Sequence, residues 1–240
     1  MNHRTEVLQE IVESQSVDLE PVANETGYRI HRQPGDEALR LVHQVFLSNT
    51  EQAPSVVVFA GMNHGNGCSQ ICASVAEILA ADPLRSVCLV EANFRSPVAS
   101  GLYVATNGRG FTDALIRTGP IRSFCKPVDA TGNLWSLSCG AISPGSPALL
   151  ASSVLRERIA ELRAEFDFVI IDAPPLTRYA DAIALGRPAD GLVLIVEGGA
   201  TRRDETAEAV ANLRACKVNI LAAVLNKGNS PLPEKASKRL

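Results

Sequence analysis

Short, unbroken apolar runs constrain the fold of this sequence more than any other feature. Ser55–Ala60 reads SVVVFA, Ser86–Ala92 reads SVCLVEA, and Phe166–Ile171 reads FDFVII. Leu134–Ser138, Gly191–Val196 and Asn219–Leu225 are similar in length and character. None alternates apolar with polar residues over its length, so each predicts a strand covered on both faces. Stretches with helical spacing lie between them: Ser69–Ala81, Val154–Glu165 and Arg203–Ala215. Strands and helices in alternation predict an α/β domain with a doubly wound, mostly parallel sheet.

The flanks read differently. Residues 1–34 are polar and acidic, with Pro21 and the pair Pro34-Gly35. They predict a flexible tail or linker with one short helix around Val7–Val12. Glu37–Leu47 has helical spacing of Ala38, Leu41, Val42, Val45 and Phe46, with Asp36 placed to cap it. The domain is therefore expected over residues 35–230, followed by a basic tail, 231–240. No repeat is present.

Charge and composition exclude several functions. The chain has 240 residues, 46% of them hydrophobic, and a net charge of −3, which argues against nucleic-acid binding. Its apolar runs fall far short of the ~20 residues a membrane-spanning helix needs. No apolar block follows Met1-Asn2-His3-Arg4, so the expected location is cytoplasmic. The six cysteines (68, 72, 88, 125, 139 and 216) form no CxxC pair and are expected to be reduced, mostly buried thiols.

In a parallel α/β sheet, ligands bind at the carboxyl ends of the strands. Three such ends carry polar chemistry. The first is Gly61-Met62-Asn63-His64-Gly65-Asn66-Gly67-Cys68-Ser69-Gln70, a glycine loop between a strand and a helix. That context suits a phosphate-binding loop, because backbone amides and the helix N-terminus attract an anion. A plain βα turn would look similar. Cys68 occupies the place of the loop lysine, and Ser69 the place of a Mg²⁺-binding hydroxyl. The second end carries Glu91, followed by Asn93 and Arg95; a solvated rim residue is the simpler account of Glu91. The third is Asp172, in Asp172-Ala173-Pro174-Pro175, a metal-side acid or a turn cap.

Together these segments resemble the cytoplasmic domain of bacterial tyrosine kinases, P-loop ATPases of the MinD/ParA type, from about Gly35 to Asn226. Gly65-Asn66-Gly67-Cys68-Ser69 sits where the family has Gly-Glu-Gly-Lys-Ser. Val90-Glu91-Ala92-Asn93-Phe94-Arg95-Ser96-Pro97 resembles its second acidic motif, and Asp172-Ala173-Pro174-Pro175 its third. Glu37-Ala38-Leu39-Arg40, with His43 in place of the final arginine, is similar to its oligomerisation helix. The departures fall on the chemistry: Cys68 for lysine, Glu91 and Asn93 for two acids, and tyrosines only at 28, 103 and 179.

The resemblance implies ATP or ADP with Mg²⁺ at residues 63–70, with Ser69 and Asp172 at the metal and Asp172 and Glu91 in any catalysis. Arg95 would reach the phosphates, and Asn226 the adenine. It also implies a role in capsule or exopolysaccharide export. The partner would be a membrane-embedded chain-length or co-polymerase protein, holding the chain at the inner membrane. An active kinase homologue or a second copy would dock through Glu37, Arg40 and His43. A neutral thiol cannot supply the lysine's charge, and the first 125 residues contain no lysine. The expectation is a degenerate, regulatory family member with weak or absent hydrolysis. Two alternatives stand beside it: an active ATPase or autokinase using another cation such as Arg95, and a thiol redox switch at Cys68, with Cys72 one turn later.

Overall fold

The structure, a computed structural model, describes residues 36–47, 53–95, 109–128 and 132–227. The expected tails, including the helix around Val7–Val12, lie outside the described residues, as does the side chain of Asp36.

In chain order the elements begin with α1 (Asp36–Val42), which runs into a π-helical turn (His43–Leu47). Then come β1 (Val56–Gly61), α2 (Cys68–Ala80) and β2 (Val87–Glu91). The helix α3 (Phe111–Ile116) leads through a 3₁₀ turn at Ile121–Phe124 to β3 (Lys126–Pro127) and β4 (Leu134–Leu137). A second 3₁₀ turn at Ser146–Ala151 precedes α4 (Ser153–Glu165) and β5 (Phe168–Ala173). The chain closes with α5 (Asp181–Gly186), β6 (Gly191–Glu197), α6 (Arg203–Ala215) and β7 (Ile220–Asn226).

The strands form one seven-stranded sheet in the order β3-β4-β2-β5-β1-β6-β7. All pairs are parallel except β3 with β4. Every residue of β1, β2 and β5 is buried. This is the packing that unbroken apolar runs require, and each fully buried Val, Leu, Ile or Phe side chain contributes about 1.5–3 kcal/mol. Alternate residues serve two cores. Val56, Val58, Cys88, Val90, Val169 and Ile171 face one side. Val57, Phe59, Leu89, Ile170, Val193 and Ile195 face the other, with α1 and α2. The seventh strand, β3, was not expected from the sequence. It is two residues long, and Pro127, which has no amide hydrogen, is tolerated because the strand lies at the sheet edge.

The helix expected over Glu37–Leu47 is present but changes winding at His43. Its apolar side packs on the domain: Leu41, Val42, Val45 and Phe46 are buried, and the Phe46 ring meets Phe168 edge-on at 5.6 Å. Glu37, Arg40 and His43 stay exposed on its outer side.

Chain direction opens the crevice that matters. After β1 the chain crosses to β2, and after β5 it crosses the other way to β6. β1 and β5 are neighbours, so the loops that leave them diverge at a topological switch point, the standard position for a ligand in such a sheet.

Candidate functional site

The loop from β1 to α2 turns on two glycines in the left-handed region, Gly65 (φ 81°) and Gly67 (φ 88°). A side chain at Gly67 would also collide with Asn226, whose Nδ2 lies 2.4 Å from where a Cβ would stand. The loop is stitched into the sheet from three directions. Leu176 N–H donates to Gly61 O at 2.9 Å, and Thr177 Oγ1 to Met62 O at 2.7 Å. Met62 N–H donates to Ile195 O. From the end of β7, Asn226 Nδ2 donates to Asn66 O at 2.7 Å, and Lys227 Nζ to Gly65 O at 2.5 Å.

A cavity of about 480 Å³ opens over this loop. Residues 63–70 line it with Gly61, Asn93, Asp172, Ala173, Pro175 and Lys227. The crevice thus brings together Asn63, His64, Gly65, Asn66, Gly67, Cys68, Ser69, Gln70 and Asp172, as the motif positions suggested. Glu91, Arg95 and Asn226 do not line it.

Arg95 and Asn226 have structural occupations instead, and Glu91 is left with an unpartnered oxygen. The Arg95 guanidinium forms a two-pronged pair with Asp181, Nε to Oδ2 at 2.8 Å and a second nitrogen to Oδ1 at 2.9 Å. Its Cζ also lies 4.5 Å from the centre of the Tyr179 ring. This placement is at odds with a role on the phosphates: an arginine held by a buried aspartate is already committed. Asn226 braces the loop backbone. Glu91 stands beside Asp172 in register across β2 and β5. It is 9% exposed, and its Oε2 has no hydrogen-bond partner among the described residues. Burial, together with the nearby Asp172, pushes its carboxyl up to about 7, against a hydrogen bond from the Cys139 amide.

Asn66, in the loop itself, turns inward. Its Nδ2 donates to Ile195 O at 3.1 Å, and its Oδ1 accepts from the Cys68 amide at 3.2 Å. Gly61 makes room, since a Cβ there would meet the Asn66 side chain at 2.0 Å. One loop amide at the entrance of α2 is therefore occupied by the loop's own side chain.

The floor is built from Cys68, Ser69 and Asp172, with Cys72 buried behind them. Ser69 Oγ donates to Asp172 Oδ2 at 2.5 Å. Burial pushes the Asp172 carboxyl up to about 6, against hydrogen bonds from Ser69 and from the Cys68 and Cys72 thiols that pull it down. The Cys72 hydrogen bond pulls the Cys68 thiol down, but burial and Asp172 together hold it above its ordinary value. Burial holds Cys72 well above its own. Both thiols are thus neutral packing groups at neutral pH. That argues against the redox switch, which needs an accessible thiolate. The oxygen donors of Ser69 and Asp172 suit Mg²⁺ and would hold it, together with phosphate oxygens.

Sequence reasoning missed Lys227. It is the only lysine or arginine among the described residues lining the cavity. Its Nζ is also 3.6 Å from Glu197 Oε1. The signal lay in the dipeptide Asn226-Lys227 at the last strand end, but the lysine stands 162 residues from the carbonyl it reaches.

No family model matches the chain. Among individual proteins, the tyrosine-protein kinase YwqD of Bacillus subtilis is 32% identical over 181 residues, 75% of each chain. This chain belongs to the bacterial tyrosine kinase family. The fold of this kinase-family chain agrees: the kinase domain of Escherichia coli ETK superposes with a TM-score of 0.72 at 21% identity, covering 81% of this chain and 75% of that one. A ParA-family ATPase from Chlorobium tepidum gives 0.62 at 14% identity, covering 74% and 76%. The cavity of the kinase-family chain thus lies over the glycine loop between β1 and α2, with the Cys68 thiol in its lining.

Proposed function

We propose that this chain is a degenerate member of its family, a regulatory or scaffolding component of capsule or exopolysaccharide export. It binds ATP or ADP weakly and does not transfer phosphate efficiently. The observation that carries this reading is the state of Cys68. Its side chain is a buried neutral thiol packed on Cys72 and Asp172, and its amide is held by Asn66. Phosphoryl transfer needs positive charge as the phosphate charge redistributes, and losing one preorganised donor costs on the order of 10²–10³ in rate. The exposed outer side of α1 and the turn after it, with Glu37, Arg40 and His43, supports contact with a membrane-embedded co-polymerase or with another family member. Peripheral attachment at the inner membrane would follow from that contact.

A second reading rests on Lys227. Delivered from β7, it is a cation at the cavity, and it supports an active ATPase or autokinase with a displaced anchor. Purified protein incubated with Mg-ATP decides between the two by phosphotyrosine blotting. The degenerate reading expects no signal above that of Asp172→Ala. A signal that disappears in Lys227→Ala but survives Cys68→Ala favours the second.

A further inference from the structure

The grouping of Cys68, Cys72 and Asp172 has no counterpart in the phosphate-loop account. The two cysteines are one helical turn apart on α2, a spacing that puts both side chains on one face, about 5–6 Å apart at Cβ. The carboxylate that meets them comes from β5, a hundred residues later, so no local spacing announces it. The two sulfurs and a carboxylate oxygen all lie within 4.8 Å of one another, and all three residues are buried.

We propose that Cys68, Cys72 and Asp172 form a binding site for a thiophilic divalent cation, with Zn²⁺ as the fitting class. Two thiolates and one carboxylate are a zinc-type donor set, whereas Mg²⁺ takes oxygen donors alone. With metal–sulfur bonds of about 2.3 Å, tetrahedral coordination places the sulfurs about 3.8 Å apart. The observed spacing needs an adjustment of ~1 Å or less, within the reach of side-chain rotation. Three protein ligands leave a fourth position. Cys68 and Asp172 both line the 480 Å³ cavity, so the ion can enter from there and keep a water or an anion on that side.

Two observations separate this group from ordinary buried thiols. Cys88, Cys125 and Cys139 are also buried, but none belongs to a cluster with metal-ligand geometry among the described residues. The Glu91 carboxylate stands on the adjoining strand in register with Asp172, nine-tenths buried, with one oxygen lacking a partner. A divalent ion beside it would supply the positive charge that this pair of carboxylates lacks. Binding expels the two thiol protons to solvent and forms two metal–sulfur bonds and one metal–oxygen bond, with no change of oxidation state. The site does not require nucleotide, but it shares Asp172 with the Mg²⁺ position, so the titration is run without nucleotide.

The test is an anaerobic titration of the reduced, metal-stripped full chain with Co²⁺, followed by Zn²⁺. The expected result is one Co²⁺ per chain, with thiolate-to-cobalt charge-transfer bands that Zn²⁺ abolishes. Cys68→Ser and Cys72→Ser should each weaken binding by at least the 10–100-fold that loss of even a supporting group costs. Cys88→Ala and Cys216→Ser should leave it unchanged. Charge-transfer bands that survive in Cys68→Ser/Cys72→Ser, or a cobalt spectrum with oxygen ligands only, overturn the proposal. Should the cysteine variants misfold, X-ray absorption at the zinc edge of the wild-type chain decides: two sulfur neighbours at about 2.3 Å support the site, and oxygen or nitrogen neighbours alone refute it.

Discussion

The ammonium of Lys227 lies 2.5 Å from the carbonyl oxygen of Gly65, so the last strand of the sheet delivers a cation to its first loop. The hydrogen bond runs to a backbone acceptor, and the side chain is half-exposed, which leaves it free to turn towards an anion in the cavity. Lys227→Ala should lower whatever affinity the chain has for ADP. A charge-assisted hydrogen bond contributes about 1.5–3 kcal/mol, equivalent to about 10–100-fold in Kd. Calorimetric titration measures it; an unchanged Kd would remove Lys227 from the site.

Arg95 gives the opposite expectation. Its two bonds to Asp181, whose side chain is 8% exposed, are structural. Arg95→Ala should cost about 1–3 kcal/mol of stability, because a buried carboxylate loses its partner. The Kd for ADP should not move. Thermal unfolding and calorimetry on the same variant separate the two effects, and a lost affinity at undiminished stability would restore Arg95 to the phosphates.

Asn66 joins the loop to β6 through Ile195 O and holds the Cys68 amide. Asn66→Ala leaves the Cys68 amide without its side-chain acceptor, takes one of two donors from Ile195 O, which keeps the Met62 amide, and opens space against Gly61. The melting temperature should fall, reflecting a loss of about 1–3 kcal/mol. An unchanged melting temperature would mean that the inward turn of Asn66 contributes nothing to holding the loop.

Glu91 makes stability depend on pH. Its carboxyl is pushed up from the usual 4.5 to about 7 by burial, so between those values the folded chain binds more protons than the unfolded one. Stability must then fall as pH rises through this window, by on the order of 3 kcal/mol once Glu91 is ionised. Glu91→Gln removes the buried charge and keeps an acceptor for the Cys139 amide. The melting-temperature advantage of Glu91→Gln should widen from pH 5 to pH 8. Asp172, raised to about 6, leaves a residual slope of the same sign in the variant. A constant difference across that range would contradict a buried, uncompensated Glu91.

Much of this was legible in the chain itself. The runs around Val57, Val90, Ile170 and Val193 predict a parallel sheet because strands covered on both faces cannot afford polar alternation. Asp172 and the glycines at 65 and 67 declare themselves by their places at strand ends. What escaped is what tertiary structure brings together. Lys227 meets Gly65, and Asp172 meets Cys72, only once β1, β5 and β7 are aligned. Arg158 escaped too. It sits in a helix that reads as amphipathic, yet it is buried and donates to the carbonyls of Ala114, Gly119 and Arg117. Periodicity cannot distinguish an arginine that caps a neighbouring loop from one in water.

The most direct test of the account is phosphate release from Mg-ATP by freshly purified wild-type protein, beside Cys68→Ala and Asp172→Ala. The account predicts that all three stay at background. Sustained turnover by wild type that persists in Cys68→Ala and vanishes in Asp172→Ala would contradict it.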